Sequence, residues 1–332
     1  LIKKISAADI HIIVGTHALI QKNVRFGNLT LVVVDEQHRF GVDQRAALLR
    51  DPKHLAVPHL LSMSATPIPR TLALTLYGDL DLSLIKELPK GRKKIITKVV
   101  APANREKAYA FIENQIKLGR QAFVICPLIE ESEAAIMSEV RAATREFEKL
   151  SRDVFPHLKI GLLHGKMKPP EKEETMKNFK DKKTDILVST SVVEVGIDIP
   201  NASVMMIEGA DRFGLSQLHQ FRGRVGRAEH QSYCFLFAES PAQATAARLK
   251  ILAESEDGFR LAEKDLQLRG PGQFFGREQS GLPDLAMSSL KDTQLIEEVQ
   301  RAVKTFLEKD KVGNHTLLKN RLDEFKREIH WE

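Results

Sequence analysis

Cysteine is scarce in this sequence: Cys126 and Cys234 are the two among 332 residues. They lie far apart, each inside an apolar, strand-like run, and no CxxC spacing occurs. That excludes a disulfide framework and argues against zinc or redox chemistry, so both read as buried, reduced thiols. Long apolar runs are missing too. None approaches the roughly 18 residues of a membrane span, and the first residues lack the layout of a signal peptide, so a chain of the cytoplasm is expected. Nor does one sign of charge dominate, because 50 basic residues stand against 44 acidic ones. The remaining +6 and a pI near 9.1 favour an anionic partner mildly, and a solvated mixed surface accounts for them equally well. The eleven histidines, His164 included, are scattered without metal-ligand spacing, which speaks against a metal centre. No internal repeat or low-complexity tract is evident.

What is present is an alternation of short apolar runs with helical stretches, the pattern of parallel sheets covered by helices. Strands are expected at Ile10–Val14, Leu31–Asp35, Leu60–Ser64 and Leu82–Lys86. A second series is expected at Ile95–Val100, Ala122–Cys126, Lys159–Leu163, Asp185–Ser189, Val204–Ile207 and Ser232–Phe237. Between the series, Leu88-Pro89-Lys90-Gly91-Arg92-Lys93-Lys94 breaks both periodicities and reads as a linker. After Pro241 the strand pattern stops and helices follow around a Gly- and Pro-containing loop at Leu268–Pro283. The last forty residues carry apolar side chains at helical spacing, from Leu295 to Leu307. Three segments result: residues 1–88 and 89–240 as two α/β units, and 241–332 as helices. The chain starts at Leu1 without Met and runs at once into the first expected strand, which looks like a cut through a domain.

Several motifs carry chemistry. Leu31-Val32-Val33-Val34-Asp35-Glu36-Gln37-His38 places two acids at the carboxyl end of a buried parallel strand, where ligands bind in open α/β sheets. Phosphoryl transfer from ATP needs one acid to hold Mg²⁺ through water and a second group to orient the attacking water; Asp35 and Glu36 fit these roles. Two acids capping a strand end would look the same. Ser64-Ala65-Thr66 ends the next apolar run, suited either to relaying changes at a nucleotide or to a simple turn into a helix started by Pro67 and Pro69.

The strongest signal is Gln220-Phe221-Arg222-Gly223-Arg224-Val225-Gly226-Arg227. A glycine before each of Arg224 and Arg227 allows close backbone approach, and the two planar cations can neutralise charge developing on a γ-phosphate. Ser189-Thr190-Ser191 through Gly196-Ile197-Asp198 leaves another strand end with hydroxyls and N–H groups suited to a sugar-phosphate backbone, and Gly196 and Asp198 suited to the nucleotide.

These blocks, in this order, resemble superfamily-2 helicases. Gly15-Thr16-His17-Ala18-Leu19-Ile20 is similar to motif Ib, Asp35–His38 to the Walker B box and Ser64–Thr66 to motif III. Val124–Leu128, Ser189–Asp198 and Gln220–Arg227 are similar to motifs IV, V and VI. The Asp-Glu-Gln-His form with Arg39-Phe40-Gly41-Val42, and Pro67-Ile68-Pro69-Arg70 after motif III, resemble the RecG family and its relative Mfd rather than DEAD-box RNA helicases. Asp257–Gly272 and Gly276–Gly281 resemble the translocation motif of those two families, a helical hairpin and loop. RecG is the nearer of the two because the chain ends at Glu332, soon after the hairpin.

The resemblance implies two RecA-like parallel-sheet units of the P-loop NTPase type, the first truncated, followed by the hairpin. It implies an ATP- and Mg²⁺-dependent helicase acting as a monomer on branched or duplex DNA. The catalytic set would be Asp35, Glu36, Gln220, Arg224 and Arg227, with Mg²⁺ on Asp35. Gln37, His38, Gly196 and Asp198 would join Asp35 around the nucleotide, and Thr16, His17, Thr190, Arg248, Arg269 and Gln279 would contact DNA. Two features depart from the family: no Gly-x-x-x-x-Gly-Lys-[Ser/Thr] cradle occurs anywhere, and no wedge domain corresponds to the one that splits branched DNA. The isolated chain is therefore expected to be inactive. The rival expectation is a non-catalytic DNA-binding or regulatory module that kept the helicase fold.

Overall fold

The computed structural model describes residues 1–21, 23–36, 58–66, 81, 83–85, 87, 91, 93–127, 133–190, 199–227, 229–239, 243–269, 293–310 and 314–328. The chain divides into two compact units, Leu1–Thr66 and Pro67–Glu332.

In the first unit, α1 (Ile2–Ser6) and a 3₁₀ turn at His17–Ile20 precede two parallel strands, β1 (Leu31–Val34) and β2 (His59–Ser62), paired from Leu31↔His59 to Val34↔Ser62. Val32 and Val34 are buried, and Leu31 and Val33 exposed, so one face of the pair is covered. The apolar run at Ile10–Val14, expected as a strand, is not one. Ile12 and Val14 are 84% and 91% exposed, and no described strand lies beside them to complete a ladder. Residues 83–85 of the expected strand at Leu82–Lys86 are also outside any strand, and its two end residues lie outside the described ones.

Among its described residues the second unit holds six parallel strands: β3 (Ile96–Val100), β4 (Gln121–Ile125), β5 (Ile160–Leu163), β6 (Ile186–Ser189), β7 (Ala202–Ile207) and β8 (Tyr233–Phe237). Their order across the sheet is β3-β8-β7-β4-β6-β5. Helices α2 (Arg105–Lys117), α3 (Glu133–Lys149), α4 (Pro169–Lys180), α5 (Leu215–Arg222), α6 (Gln243–Glu254) and α7 (Gly258–Arg269) connect and cover them. Alternate strand residues enter opposite cores, as the period of two requires. Ala122, Val124, Val204, Met206 and Phe237 pack with Ala108 and Ile112 of α2 and Ala143 of α3. Phe123, Ile125, Met205, Ile207 and Leu236 pack with Phe179 of α4, Leu218 and Phe221 of α5, Leu249 and Leu252 of α6 and Leu261 of α7. Burial on both faces explains why these strands read as continuous apolar runs.

Local signals set the helix ends. Glu171 accepts the Lys168 N–H at 2.9 Å ahead of the proline start of α4, and Asp257 Oδ1 accepts the N–H groups of Phe259 and Arg260 at the start of α7. Gly119, at φ +80°, follows α2 in the left-handed conformation that a helix C-terminus favours. Beyond α7, α8 (Thr293–Lys309) and α9 (Thr316–Glu328) carry the expected helical period. Their apolar stripes are largely exposed, with Val299 at 53% and Leu317 at 87%.

Candidate nucleotide and nucleic-acid sites

Asp35 and Glu36 follow β1 at its carboxyl end, the first exposed and the second half-buried. Glu36 has φ +51°, left-handed backbone that costs a side-chain-bearing residue of order 1–3 kcal/mol and persists where its surroundings enforce it. Two hydrogen bonds shape this corner. The Glu36 N–H donates to Asp35 Oδ1 at 2.9 Å, and the Ala65 N–H donates to Glu36 Oε2 at 3.4 Å. The acid pair and the Ser64–Thr66 tripeptide are thus in direct contact, because β1 and β2 pair in register and the Met63 N–H continues the ladder to the Val34 carbonyl at 2.8 Å. Gln37 and His38 lie outside the described residues. Thr16 is exposed at the start of the 3₁₀ turn; the side chain of His17 is not among those described.

In the second unit the arginine motif spans the end of α5 and the turn after it. Phe221 and Val225 anchor it in the core, fully buried, while Gln220 and Arg224 are half-buried and Arg227 is exposed. The two glycines differ. Gly226 sits at φ +79°, and a Cβ there would lie 2.9 Å from Ile95 Cγ1. Gly223 has the ordinary right-handed φ of −67°. Close approach is therefore a property of the second glycine.

The helix carrying this motif is fastened by α6 and α7. Arg248 of α6 donates to the carbonyls of Asp211 and Phe213 at 2.6 and 2.8 Å, just ahead of α5. Asp265 of α7, 4% exposed, accepts the Leu215 N–H at 3.2 Å, satisfying a donor at the start of α5 that the helix itself leaves open. At the other end, buried Arg222 donates to the Leu252 carbonyl of α6 at 2.6 Å. Arg248, expected to contact DNA, is thus turned inward to backbone carbonyls. Asp265 and Arg222 were not anticipated. An acid four residues after Leu261 on the apolar stripe of α7 was the available signal for the first.

Thr190, expected against DNA phosphates, follows β6 and is completely buried, its Oγ1 without a hydrogen-bond partner. His164 stands at the end of the neighbouring strand β5 with Nδ1 likewise buried and unpartnered. Burial, and then the Lys172 ammonium, lower its pKa. Gly196, Asp198 and Gln279 lie outside the described residues, and Arg269 ends α7 with its side chain not described. Among the described residues no group of three or more His, Cys, Asp or Glu could hold a metal ion.

Three families match this chain: DEAD/DEAH box helicase over residues 1–75, helicase conserved C-terminal domain over 105–229, and ATP-dependent DNA helicase RecG, domain 3, C-terminal, over 255–332. The chain is 52% identical over 308 residues to the ATP-dependent DNA helicase RecG of Synechocystis sp., covering 92% of the chain and 36% of that protein. It is 50% identical over 291 residues to that of Bacillus subtilis, covering 87% and 42%. It therefore spans about two-fifths of the length of these relatives. Among solved structures it is similar to RecG bound to a three-way DNA junction, with a TM-score of 0.66 and 44% identity over 86% of this chain and 36% of that one. A variant of S. cerevisiae Dbp5 bound to RNA and ADP BeF3 shares the fold, at a TM-score of 0.50 and 14% identity over 76% of this chain and 66% of that one. The parallel-sheet units, the ordered motifs and the identity running through the helices after motif VI agree: the chain belongs to the RecG family and corresponds to its C-terminal region.

Proposed function

We propose that the protein carrying this chain is an ATP-dependent, Mg²⁺-requiring DNA helicase that remodels forks and other branched DNA in recombination and repair, acting as a monomer that translocates on duplex DNA. The observation that carries the reading is the fastening of the arginine-bearing helix α5 to α6 and α7. A change in Arg224 and Arg227 at nucleotide turnover is passed directly to the helices that resemble the translocation motif. The relative solved on a three-way DNA junction supports branched DNA as the substrate.

The residues fit Mg·ATP. The exposed Asp35 carboxylate suits a hydrated magnesium ion, and Glu36, set in an enforced backbone conformation beside Ala65, suits orientation of the attacking water. The bound nucleotide supplies the phosphoryl group, and the metal spreads its charge. Arg224 and Arg227 neutralise charge developing at the γ-phosphate, with Gln220 beside them, and the missing phosphate cradle comes from the rest of the protein. Motif V supplies Gly196 and Asp198 to the nucleotide, and the buried Thr190 serves the DNA contact through the packing of the motif rather than by touching DNA. Arg269 and Gln279 reach DNA, and Arg248 serves that contact by fixing the helix pair. The exposed Thr16, with His17 next to it in sequence, forms a second contact with the DNA backbone.

Arg227→Ala in the full-length protein tests the reading. Junction binding should persist while DNA-stimulated ATPase falls by about 10³ to 10⁵, the range for an arginine finger. Unchanged ATPase would refute the assignment, and a full-length protein that binds junctions without hydrolysing ATP would favour the regulatory module.

A further inference from the structure

Glu208 is the first residue after β7 and, with Asp265, one of two buried carboxylates among the described residues, 8% exposed. Its side chain meets Arg105, the first residue of α2, in a two-pronged pair with Nη1–Oε1 at 2.7 Å and Nη2–Oε2 at 2.8 Å. The guanidinium also lies 4.8 Å over the Phe237 ring and donates to the Tyr109 hydroxyl at 3.1 Å. Lys149 donates to the same hydroxyl at 3.3 Å and to Glu146 at 2.9 Å. Hydrogen bonding to Glu208 raises the Arg105 pKa despite burial, which keeps the guanidinium charged.

Stability alone does not account for such a pair. Glu208 is buried and the Arg105 side chain is 25% exposed; withdrawing the carboxylate from water costs solvation, and an ion pair of this kind can often be exchanged for apolar residues of similar volume with no loss. What the pair does have is a place. Gly209 follows Glu208 at φ +54°, and a Cβ there would lie 2.8 Å from Pro127 Cγ, so the chain turns sharply at this point. Residues 209–214 lead into α5; Arg248 of α6 fixes Asp211 and Phe213 among them, and Asp265 of α7 fixes Leu215 where α5 begins. Those anchors lie on one face of the sheet. Arg105 reaches from α2, which packs on the other face. The segment from Glu208 to Leu215 is therefore held at its start by the body of the unit and at its end by the helix pair.

We infer that Arg105 and Glu208 are a positioning pair for Arg224 and Arg227, the fixed point against which the helix pair sets the arginine-bearing turn. The inference rests on the ATPase reading above. Neither residue touches the nucleotide in this scheme; both act through the geometry of residues 208–222.

The test uses the full-length protein with Arg105→Met/Glu208→Leu together, which removes both charges and keeps the volume. The expected result is a melting temperature within a few degrees of the parent, KM for ATP and affinity for a three-way junction within about twofold, and kcat lower by on the order of ten- to a hundredfold, the effect of misplacing a catalytic group by a fraction of an ångström to 1 Å. Unchanged kcat in the folded double variant would overturn the inference, since a pair with a purely structural role predicts that result. If the double variant does not fold, Arg105→Lys decides: it keeps the charge and loses the fork, and lowered kcat at unchanged KM supports positioning while parental kcat overturns it. Arg227→Ala in the same assay keeps the two ideas separate. If it retains turnover, the ATPase reading itself fails; if it abolishes turnover while the Arg105 variants keep theirs, only the positioning pair fails.

Discussion

Gly226→Ala is the sharpest perturbation of the arginine motif that leaves both arginines in place. Two costs add at this position. A left-handed backbone at φ +79° costs an L-residue about 1–2 kcal/mol relative to glycine. The new Cβ would also lie 2.9 Å from Ile95 Cγ1 and 3.1 Å from its Cδ1. Ile95 is 7% exposed within the core and cannot swing away freely, so overpacking adds about 1–3 kcal/mol. The expected loss is about 2–5 kcal/mol. Gly223→Ala is the control, because its backbone is right-handed and its Cβ would meet the Gln220 carbonyl at an ordinary 3.4 Å. There alanine should be neutral or stabilise by about 0.4–1 kcal/mol through the unfolded chain. Gly226→Asn should fall between the two, since asparagine tolerates left-handed backbone while keeping the contact with Ile95. Urea unfolding of the chain, followed by circular dichroism, reads all three. Equal midpoints for Gly226→Ala and Gly223→Ala would refute the reasoning, showing that the turn relaxes without strain.

Other expectations concern the same unit. Gln121, 2% exposed, donates to the carbonyls of Phe179 and Thr184 at 2.6 and 2.8 Å, so Gln121→Leu should cost about 2–4 kcal/mol by leaving both carbonyls unsatisfied; a loss below 1 kcal/mol in denaturant titration would contradict this. Burial pushes the Cys234 thiol up to about 12, the nearby Arg222 opposing, and burial with the Glu146 and Glu208 charges pushes Cys126 well above its ordinary value. Neither thiol should react with a thiolate-seeking reagent at pH 8 until the chain is unfolded, and native labelling at the rate of free cysteine would show the core to be open. His164 has its pKa lowered by burial, so the unfolded chain binds more protons there; its contribution to stability is full above about pH 6.5 and is lost as pH falls through the lowered value. His164→Gln should flatten the acid side of the stability curve, and an unchanged slope would rule the residue out as its cause.

The strands of the second unit were legible because each is buried on both faces, which writes a continuous apolar run such as Ile186–Ser189 into the sequence. Ile10–Val14 is similarly rich in β-branched residues and is not a strand, since composition reports a preference for extended backbone while a strand also needs a neighbour to complete its ladder. The site was legible where chemistry is local. Paired acids at a strand end and glycine before arginine can be read from adjacent residues, and the spacing of Ser64–Thr66 from Asp35 reflects two strands in register. What escaped were the contacts that topology makes. Arg248 carries the pattern of an exposed helix face, yet its guanidinium reaches carbonyls 35 and 37 residues earlier. Arg105 meets Glu208 across 103 residues, and neither has a neighbour in sequence that marks it. A charged residue that binds a ligand and one that fixes the element bearing it look alike in a sequence. They differ in burial and in the partner that replaces water, and both are set by which strands become neighbours. In the order β3-β8-β7-β4-β6-β5, the end of β7 lies one strand away from the chain that returns through β8 to α6, while β3 delivers α2 to the opposite face. That order lets one short segment be gripped from both faces, and it is why the arginine turn, the most readable motif in the chain, depends on residues the sequence did not mark.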